Sequence, residues 1–224
     1  MTELLQGLAT TRTIRRYTDE PIGEADLAQI LWHATRAPSG SNRQPVRYLV
    51  LRDGPAALKA RMVLGGAARA AWQAKESADG YGAGSGAVAD SPKARMAATM
   101  RHYVEHFHEA PVIVLPCLVR YREPSPYEGA SVYPAVQNLL LAARGLGYGG
   151  AVTLWHAPVE QELRDILGVP PDVALSACIT LGRPAGHHGP VRRRPLRDVV
   201  FDDRWDATAE WATDPDGTTF TAWR

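Results

Sequence analysis

The sequence predicts a single globular domain of the α/β or α+β class. Its 224 residues, of which 45% are hydrophobic, are enough to bury one core of domain size. Segments with helical spacing alternate with short apolar runs, and neither an internal repeat nor a domain boundary is visible. Lys and Arg total 25 against 24 Asp and Glu, which excludes a nucleic-acid binder that relies on a net basic field.

Cysteine content and hydropathy predict a cytoplasmic protein. No apolar run reaches the roughly 18 residues that a membrane-spanning helix needs. The segment 1–16 lacks the apolar stretch of a signal peptide. Cys117 and Cys178 lie in apolar runs and are predicted to be buried thiols, which suits a reducing compartment.

The first half of the chain is predicted to form three helices and two strands. Leu27, Ile30 and Leu31 share one face of the first helix. Ser91 followed by proline is typical of a capped helix start. The run PVIVLPCLV is apolar enough for a strand that is covered on both faces. The predicted ranges are 24–37, 46–52, 56–72, 91–109 and 111–119.

The second half is predicted to contain two more helices and two more strands. Gly168 is placed where a helix commonly ends in a left-handed residue. The glycine-rich stretch 80–86 predicts a mobile lid or insertion over 73–95, and a C-terminal arm is expected over 198–224. The helices are expected over 131–144 and 158–167, and the strands over 151–156 and 173–181.

Two basic segments are candidate anion sites. Arg12 and Thr13 adjoin each other, with Arg15 two residues further on, and guanidinium and hydroxyl groups suit a phosphate monoester. The run 192–194 is a second group of arginines, far away in sequence. Either group alone is also typical of a solvated basic surface.

The segment 38–45 is a polar loop with proline at both ends. Its hydroxyls and the amides of Asn42 and Gln44 form an array of neutral donors and acceptors that suits a planar heterocycle. The same composition is found in ordinary surface turns.

Several segments together resemble the nitroreductase family of FMN enzymes. R-T-I-R-R-Y at 12–17 and A-P-S-G-S-N-R-Q-P-V-R at 37–47 are similar to its paired N-terminal signature. E-A-P-V-I-V-L-P at 109–116 resembles its central strand, and A-V-Q-N-L-L-L-A-A-R-G-L-G-Y-G-G at 135–150 its core helix and glycine exit. L-G-V-P-P-D, I-T-L-G-R-P and R-R-R-P-L follow in the family's order, so the resemblance covers about 11–200.

The resemblance implies an α+β fold with three layers, α/β/α, and a central, mostly antiparallel sheet. It also implies an intertwined homodimer with FMN at the interface. NADH or NADPH would pass hydride to flavin N5, and an electron-poor acceptor such as a nitroaromatic, a quinone or an activated alkene would then be reduced by ping-pong kinetics. No side chain is expected to be an obligatory catalyst, and no metal is expected.

The resemblance also implies roles for individual residues. Arg12 and Thr13 would hold the phosphate and ribityl chain, and Arg15 would lie near the pyrimidine edge. The polar loop would reach FMN partly from the partner subunit, the spaced arginines of the C-terminal run would clamp the phosphate, and backbone groups of 153–155 would face N5. The implied cofactor contacts are Arg12, Thr13, Arg15, Pro38, Ser39, Gly40, Ser41, Asn42, Gln44, Thr153, Leu154, Trp155, Arg192 and Arg194.

The substrate is left open by the sequence. Thr11 and Val46 stand where many members of the family have arginine and an aromatic residue. Tyr81, Tyr127 and His156 are candidate substrate contacts, although aromatic packing is the more frequent role of such residues.

Alternative functions are a biosynthetic dehydrogenase or oxidase, a dehalogenase with a charged and aromatic lid drawn from Glu76, Tyr81 and Lys93, and a non-catalytic flavin-binding protein. A Rossmann site at 80–86 is disfavoured by its spacing. A metal site at His102 and His106 is disfavoured because no further ligand pattern accompanies the pair.

Overall fold

A five-stranded antiparallel sheet forms the centre of the chain. The computed structural model describes residues 3–220. The strand order is β1-β2-β5-β3, with β4 also pairing with β2. The strands are β1 (Val46–Leu51), β2 (Val112–Val119), β3 (Gly149–Thr153), β4 (Val173–Leu175) and β5 (Cys178–Gly182).

Residues 3–220 contain six α-helices, of which α2 to α6 pack on the two faces of this sheet and α1 packs on α5. Within residues 3–220, none of them is long and apolar enough to cross a membrane. The helices are α1 (Leu4–Thr10), α2 (Glu24–Ala34), α3 (Pro55–Ala78), α4 (Pro92–Glu105), α5 (Tyr133–Gly145) and α6 (Glu160–Leu167).

The central strand β2 divides the hydrophobic core into two layers. Successive side chains of a strand point to opposite faces. Ile113 and Leu115 accordingly pack in one cluster with residues of α3, α4 and α6. Val112 and Val114 pack in the other cluster with residues of α2 and α5. The predicted three-layer α+β architecture is therefore confirmed, and the two-sided burial explains why β2 is apolar almost throughout.

The run 173–181, predicted as one strand, is two strands. β4 pairs with the end of β2 and β5 with its beginning. Pro116 lies between these two pairings and has no N–H to donate to a ladder. Its carbonyl instead accepts from the backbone N–H of Ser176 at 2.9 Å, in the bend between β4 and β5.

The bounds of one predicted strand and of two predicted helices also differ from those in the structure. β3 begins at Gly149 and ends at Thr153, whereas the predicted strand covered 151–156, so Gly149 and Gly150 are part of the strand. A Cβ at Gly150 would lie 2.7 Å from the carbonyl oxygen of Thr180 in β5, which requires glycine at this close approach. The first predicted helix ends at Ala34 rather than 37, and the predicted helix 91–109 ends at Glu105 before a short 3₁₀ turn.

The predicted lid is largely helical. α3 continues to Ala78 and α4 begins at Pro92, so only 79–91 connects them. Lys93 Nζ donates to the Asp79 carbonyl at 2.9 Å across this connection. Ser91 caps α4 as predicted, accepting from the backbone N–H of Ala94 at 3.0 Å. The mobility of the glycine-rich segment stays a prediction.

A buried arginine joins the two chain segments beside α3. Arg61 donates through Nε to the His108 carbonyl at 2.8 Å and through Nη1 to the Arg52 carbonyl at 3.0 Å. A third hydrogen bond runs from Nη2 to the Ala110 carbonyl. Burial lowers the pKa of this guanidinium. Arg61 thus attaches both the end of β1 and the segment before β2 to α3.

Candidate functional site

Four arginines meet at a cavity of about 660 Å³, which we call the arginine cavity. They come from the N-terminal segment before α2 and from the segment that follows β5. No carboxylate is among the lining residues, so the local field is positive and suits an anion. Thr219 of the C-terminal arm also borders the opening. The lining residues are Arg12, Thr13, Arg15, Pro190, Val191, Arg192, Arg193 and Thr219.

The backbone keeps the N-terminal part of this cavity next to the sheet edge. The N–H of Ile14 donates to the Gly150 carbonyl of β3 at 2.9 Å. Buried Ile14 faces the sheet, which leaves exposed Arg12 and Thr13 available to a ligand. A Cβ on Gly149 would lie 2.5 Å from Ile14 Cγ1. Glycine at this position therefore allows the basic segment to approach β3.

Arg193 lines the cavity where Arg194 was predicted to do so. Arg193 Nη1 donates to the Arg192 carbonyl at 2.9 Å, and the Arg193 backbone forms an isolated β-bridge with Phe220. Arg194 is not among the lining residues.

A second cavity of about 260 Å³ shares Arg12, Thr13 and Arg193 with the arginine cavity. His188, which the sequence reasoning missed, borders it. His188 Nε2 lies 3.1 Å from the Tyr148 carbonyl. Burial lowers the pKa of His188, and so do the nearby charges of Arg144 and Arg12. The imidazole is therefore held neutral with Nε2 as the donor.

The polar loop has an unusual backbone. Ser41, Asn42 and Gln44 have φ values of 52°, 51° and 50°, in the left-handed region that non-glycine residues rarely adopt. Ser39 Oγ accepts from the Gln44 N–H at 2.9 Å, and Gln44 Nε2 donates to Asn42 Oδ1 at 3.3 Å. Three strained residues among four consecutive ones are typical of a ligand-binding loop rather than of an ordinary turn.

Within one chain, this loop does not meet the arginine cavity. Ser39 and Gln44 border a separate cavity of about 120 Å³, which shares no lining residue with the arginine cavity. Tyr48 also borders the smaller cavity, and burial raises its pKa to about 12. The Tyr48 hydroxyl has no hydrogen-bond partner within residues 3–220. The predicted cofactor residues thus form two groups on one chain.

At the end of β3 and just after it, the Leu154 side chain is exposed, the Trp155 ring is half-buried and the His156 ring is buried. Thr153 Oγ1 donates to the Cys178 carbonyl at 3.3 Å, while the Leu154 side chain is exposed. The ring of Trp155 packs 5.6 Å from Tyr103. His156 is 3% exposed, and its Nε2 lies 3.0 Å from the Leu175 carbonyl. Burial lowers the pKa of His156, so this candidate substrate contact is a neutral core residue in this chain.

The other two candidate substrate residues, Tyr127 and Tyr81, have different surroundings. Tyr127 is exposed. Tyr81 packs on Trp72 at 5.0 Å between ring centroids and beneath the Lys93 ammonium. Glu76 accepts from Arg101 Nε at 2.8 Å. The three residues of the suggested dehalogenase lid are therefore occupied with contacts of the α3–α4 hairpin.

Comparison with known proteins decides the family. The model of the Nitroreductase family matches residues 8–183. The chain belongs to this family. A relative from Thermus thermophilus named NADH dehydrogenase is 31% identical over 206 residues, which cover 85% of this chain and 91% of the relative. The resemblance stated from the sequence is therefore confirmed.

Solved structures of the same fold extend this comparison. A protein described as a nitroreductase in complex with FMN, from Desulfovibrio desulfuricans, is 28% identical with a TM-score of 0.66, covering 92% of this chain and 99% of that protein. An FMN and NADPH-dependent nitroreductase from Sphigopyxis sp. strain HMH is 22% identical with a TM-score of 0.68, covering 91% and 100%. These nitroreductase structures share the three-layer fold of the present chain.

Proposed function

We propose that this nitroreductase-family chain is an FMN-dependent oxidoreductase that oxidises NADH or NADPH and reduces an electron-poor small molecule. The arginine cavity is the observation that carries the proposal. It brings together four guanidiniums and two threonine hydroxyls around about 660 Å³, without a carboxylate in its lining. A phosphate monoester is a ligand for which such a set of donors is suited. The family match and the FMN-bound structure support FMN as the molecule that carries this phosphate.

The residues of the chain have separate roles in this proposal. Arg12, Arg192 and Arg193 hold the phosphate, and the hydroxyl of Thr13 donates to it or to the ribityl chain. Arg15 is half-buried at the inner side of the cavity, where its charge stabilises negative charge on the pyrimidine ring. Bound FMN supplies reversible two-electron chemistry at N5. The protein positions the ring and sets the charge around it.

A homodimer accounts for the separation of the two residue groups. The strained loop of one protomer would complete the arginine cavity of its partner, as the family resemblance implies. Exposed apolar side chains support an interface: Leu5 of α1 is 78% exposed, and Trp205 and Trp211 of the arm are 85% and 68% exposed. Light scattering coupled to size-exclusion chromatography should give twice the mass of one chain. A monomer that binds FMN fully would contradict the proposed dimer.

The visible spectrum of the purified protein tests the function directly. Flavin bands that bleach on anaerobic addition of NADH or NADPH are the expected result. Bands that persist with both nucleotides would point to the alternative of a dehydrogenase or oxidase reduced by its own organic substrate. A colourless protein that does not take up added FMN would overturn the proposal. The cytoplasmic location stays a prediction.

A further inference from the structure

Two arginines stack against one exposed tyrosine at the end of the sheet. Arg43 Cζ lies 4.3 Å from the centroid of the Tyr121 ring, and Arg122 Cζ lies 5.3 Å from the same centroid. The Tyr121 side chain is 55% exposed. Both guanidiniums are therefore held near one aromatic surface that solvent can reach. We call these three residues the Arg43–Tyr121–Arg122 cluster.

The strand register produces this arrangement. β1 and β2 are antiparallel, with Val46 opposite Leu118. Beyond the ladder, the backbone N–H of Val119 still donates to the Pro45 carbonyl at 3.0 Å. This hydrogen bond keeps the segment before β1 beside the segment after β2. The contact of Arg43 with Tyr121 lies just beyond it.

Neither guanidinium of the cluster is held by a carboxylate of the described residues, although the charge of Arg122 contributes to lowering the pKa of nearby Glu128. Arg120, one residue before Tyr121, holds Glu128 with two hydrogen bonds of 2.9 and 3.1 Å, which lower the pKa of that carboxyl. Within residues 3–220, neither Arg43 nor Arg122 forms an ion pair. Two neighbouring cations with unused donors attract a group that carries more than one negative charge. An aromatic ring between them can stack on a flat ligand.

Arg43 belongs to the strained loop, between Asn42 and Gln44. This position connects the cluster to the proposed flavin site, and the inference rests on the proposed function for that reason. We infer that the Arg43–Tyr121–Arg122 cluster binds the additional phosphate of NADPH, with the adenine beside Tyr121, and makes the protein prefer NADPH to NADH. NADPH would then lie with its nicotinamide over the flavin and its additional phosphate at the loop.

Binding of nucleotide fragments tests the cluster independently of turnover. The FMN-loaded protein is titrated calorimetrically with adenosine 2′,5′-bisphosphate and with ADP at the same low ionic strength. The 2′-phosphate compound is expected to bind about tenfold more tightly, and Arg43→Gln or Arg122→Gln to remove that difference. Equal affinities of the native protein for the two compounds would overturn the inference. Inorganic phosphate binding as tightly as the bisphosphate would also overturn it, because the nucleotide would then contribute nothing.

Arg52→Gln is the matched control. Arg52 lies just beyond the other end of β1 and pairs with Glu24 at 2.8 Å, so its removal changes net charge equally. It should leave the preference for the bisphosphate unchanged. Tyr121→Leu keeps both arginines and is expected to weaken adenine-containing ligands more than inorganic phosphate. Thermal melting of each variant establishes that these surface changes leave the fold intact.

Kinetics separate the two proposals. In the native protein, kcat/KM for NADPH should exceed that for NADH, and Arg122→Gln should lower the NADPH value about tenfold through KM while the NADH value stays within about twofold. Equal losses for both nucleotides would show that Arg122 does not act through the additional phosphate and would overturn the phosphate assignment. Selective binding of the bisphosphate without oxidation of either nucleotide would refute the proposed function and leave the phosphate site standing.

Discussion

The arginine cavity predicts that flavin affinity depends on the phosphate rather than on the ring. The perturbation is Arg12→Gln, which keeps a long polar side chain and removes the charge. Arg12 borders both the arginine cavity and the adjoining cavity, so its guanidinium lies between the N-terminal segment and the C-terminal arginines. FMN should bind more weakly to this variant, whereas riboflavin, which lacks the phosphate, should bind as it does to the native protein.

The magnitude follows from the donors that the cavity provides. A hydrogen bond to a charged group contributes about 1.5–3 kcal/mol, which corresponds to roughly a 10- to 150-fold change in Kd. Three arginines share the phosphate, so the remaining two compensate in part and the lower end of this range is expected for Arg12→Gln. The double variant Arg12→Gln with Arg193→Gln should approach the riboflavin affinity. Arg15→Gln should weaken FMN and riboflavin together, because Arg15 is assigned to the ring.

The assay is the quenching of flavin fluorescence on titration into protein stripped of its cofactor. Arg197→Gln is the control, since Arg197 is an exposed arginine of the same C-terminal region and is not among the lining residues. The decisive quantity is the ratio of the FMN and riboflavin dissociation constants. A ratio that is unchanged in Arg12→Gln, even with weaker binding of both flavins, would refute the assignment of this cavity to the phosphate.

Three further predictions concern the core. Arg61→Met should lower the free energy of unfolding by about 3–5 kcal/mol and Tm by roughly 6–15 °C in calorimetry, because three backbone carbonyls lose their hydrogen-bond donor. Arg69→Met on the same helix is the control and should have little effect. Burial lowers the pKa of His156 in the folded chain, so the free energy of unfolding falls as the pH drops below about 6.5, where the unfolded chain takes up a proton that the folded chain does not. In urea titrations at pH 7 and pH 5, His156→Gln should lose less of this free energy than the native protein, and an identical profile would contradict this. Burial raises the pKa of Cys117 to about 11 and of Cys178 to about 12, so a disulfide reagent at pH 8 should label neither thiol until the chain is unfolded.

The fold was predictable where local sequence and burial agree. β2 is apolar because it is covered on both faces, and Ser91 caps α4 because its hydroxyl can reach the backbone N–H of Ala94. The division of 173–181 into two strands was not predictable in this way. It depends on how the segment pairs with Pro116, some 60 residues earlier in the chain, and nothing in the apolar run itself indicates a bend.

The candidate site, like the fold, was predictable only in part. Arg12, Thr13 and Arg15 were assigned together from adjacent positions and line one cavity. The family resemblance implied Arg192 with Arg194, whereas Arg192 and Arg193 line this cavity. The bridge between Arg193 and Phe220 depends on the return of the C-terminal arm, which has no local signature in the arginine run. His188 was missed for the same reason, since its partner is a distant backbone carbonyl.

The placement of charge explains why composition indicates so little about this function. The chain has a formal net charge of only +1, yet its carboxylates are distributed unevenly among its arginines. Glu24, Glu128 and Glu160 each hold an arginine that borders neither proposed site. The lining of the arginine cavity has no carboxylate, and the Arg43–Tyr121–Arg122 cluster has no ion pair within residues 3–220. The proposed anion binding therefore depends on which arginines the fold leaves without an ion pair within residues 3–220, rather than on the number of charges.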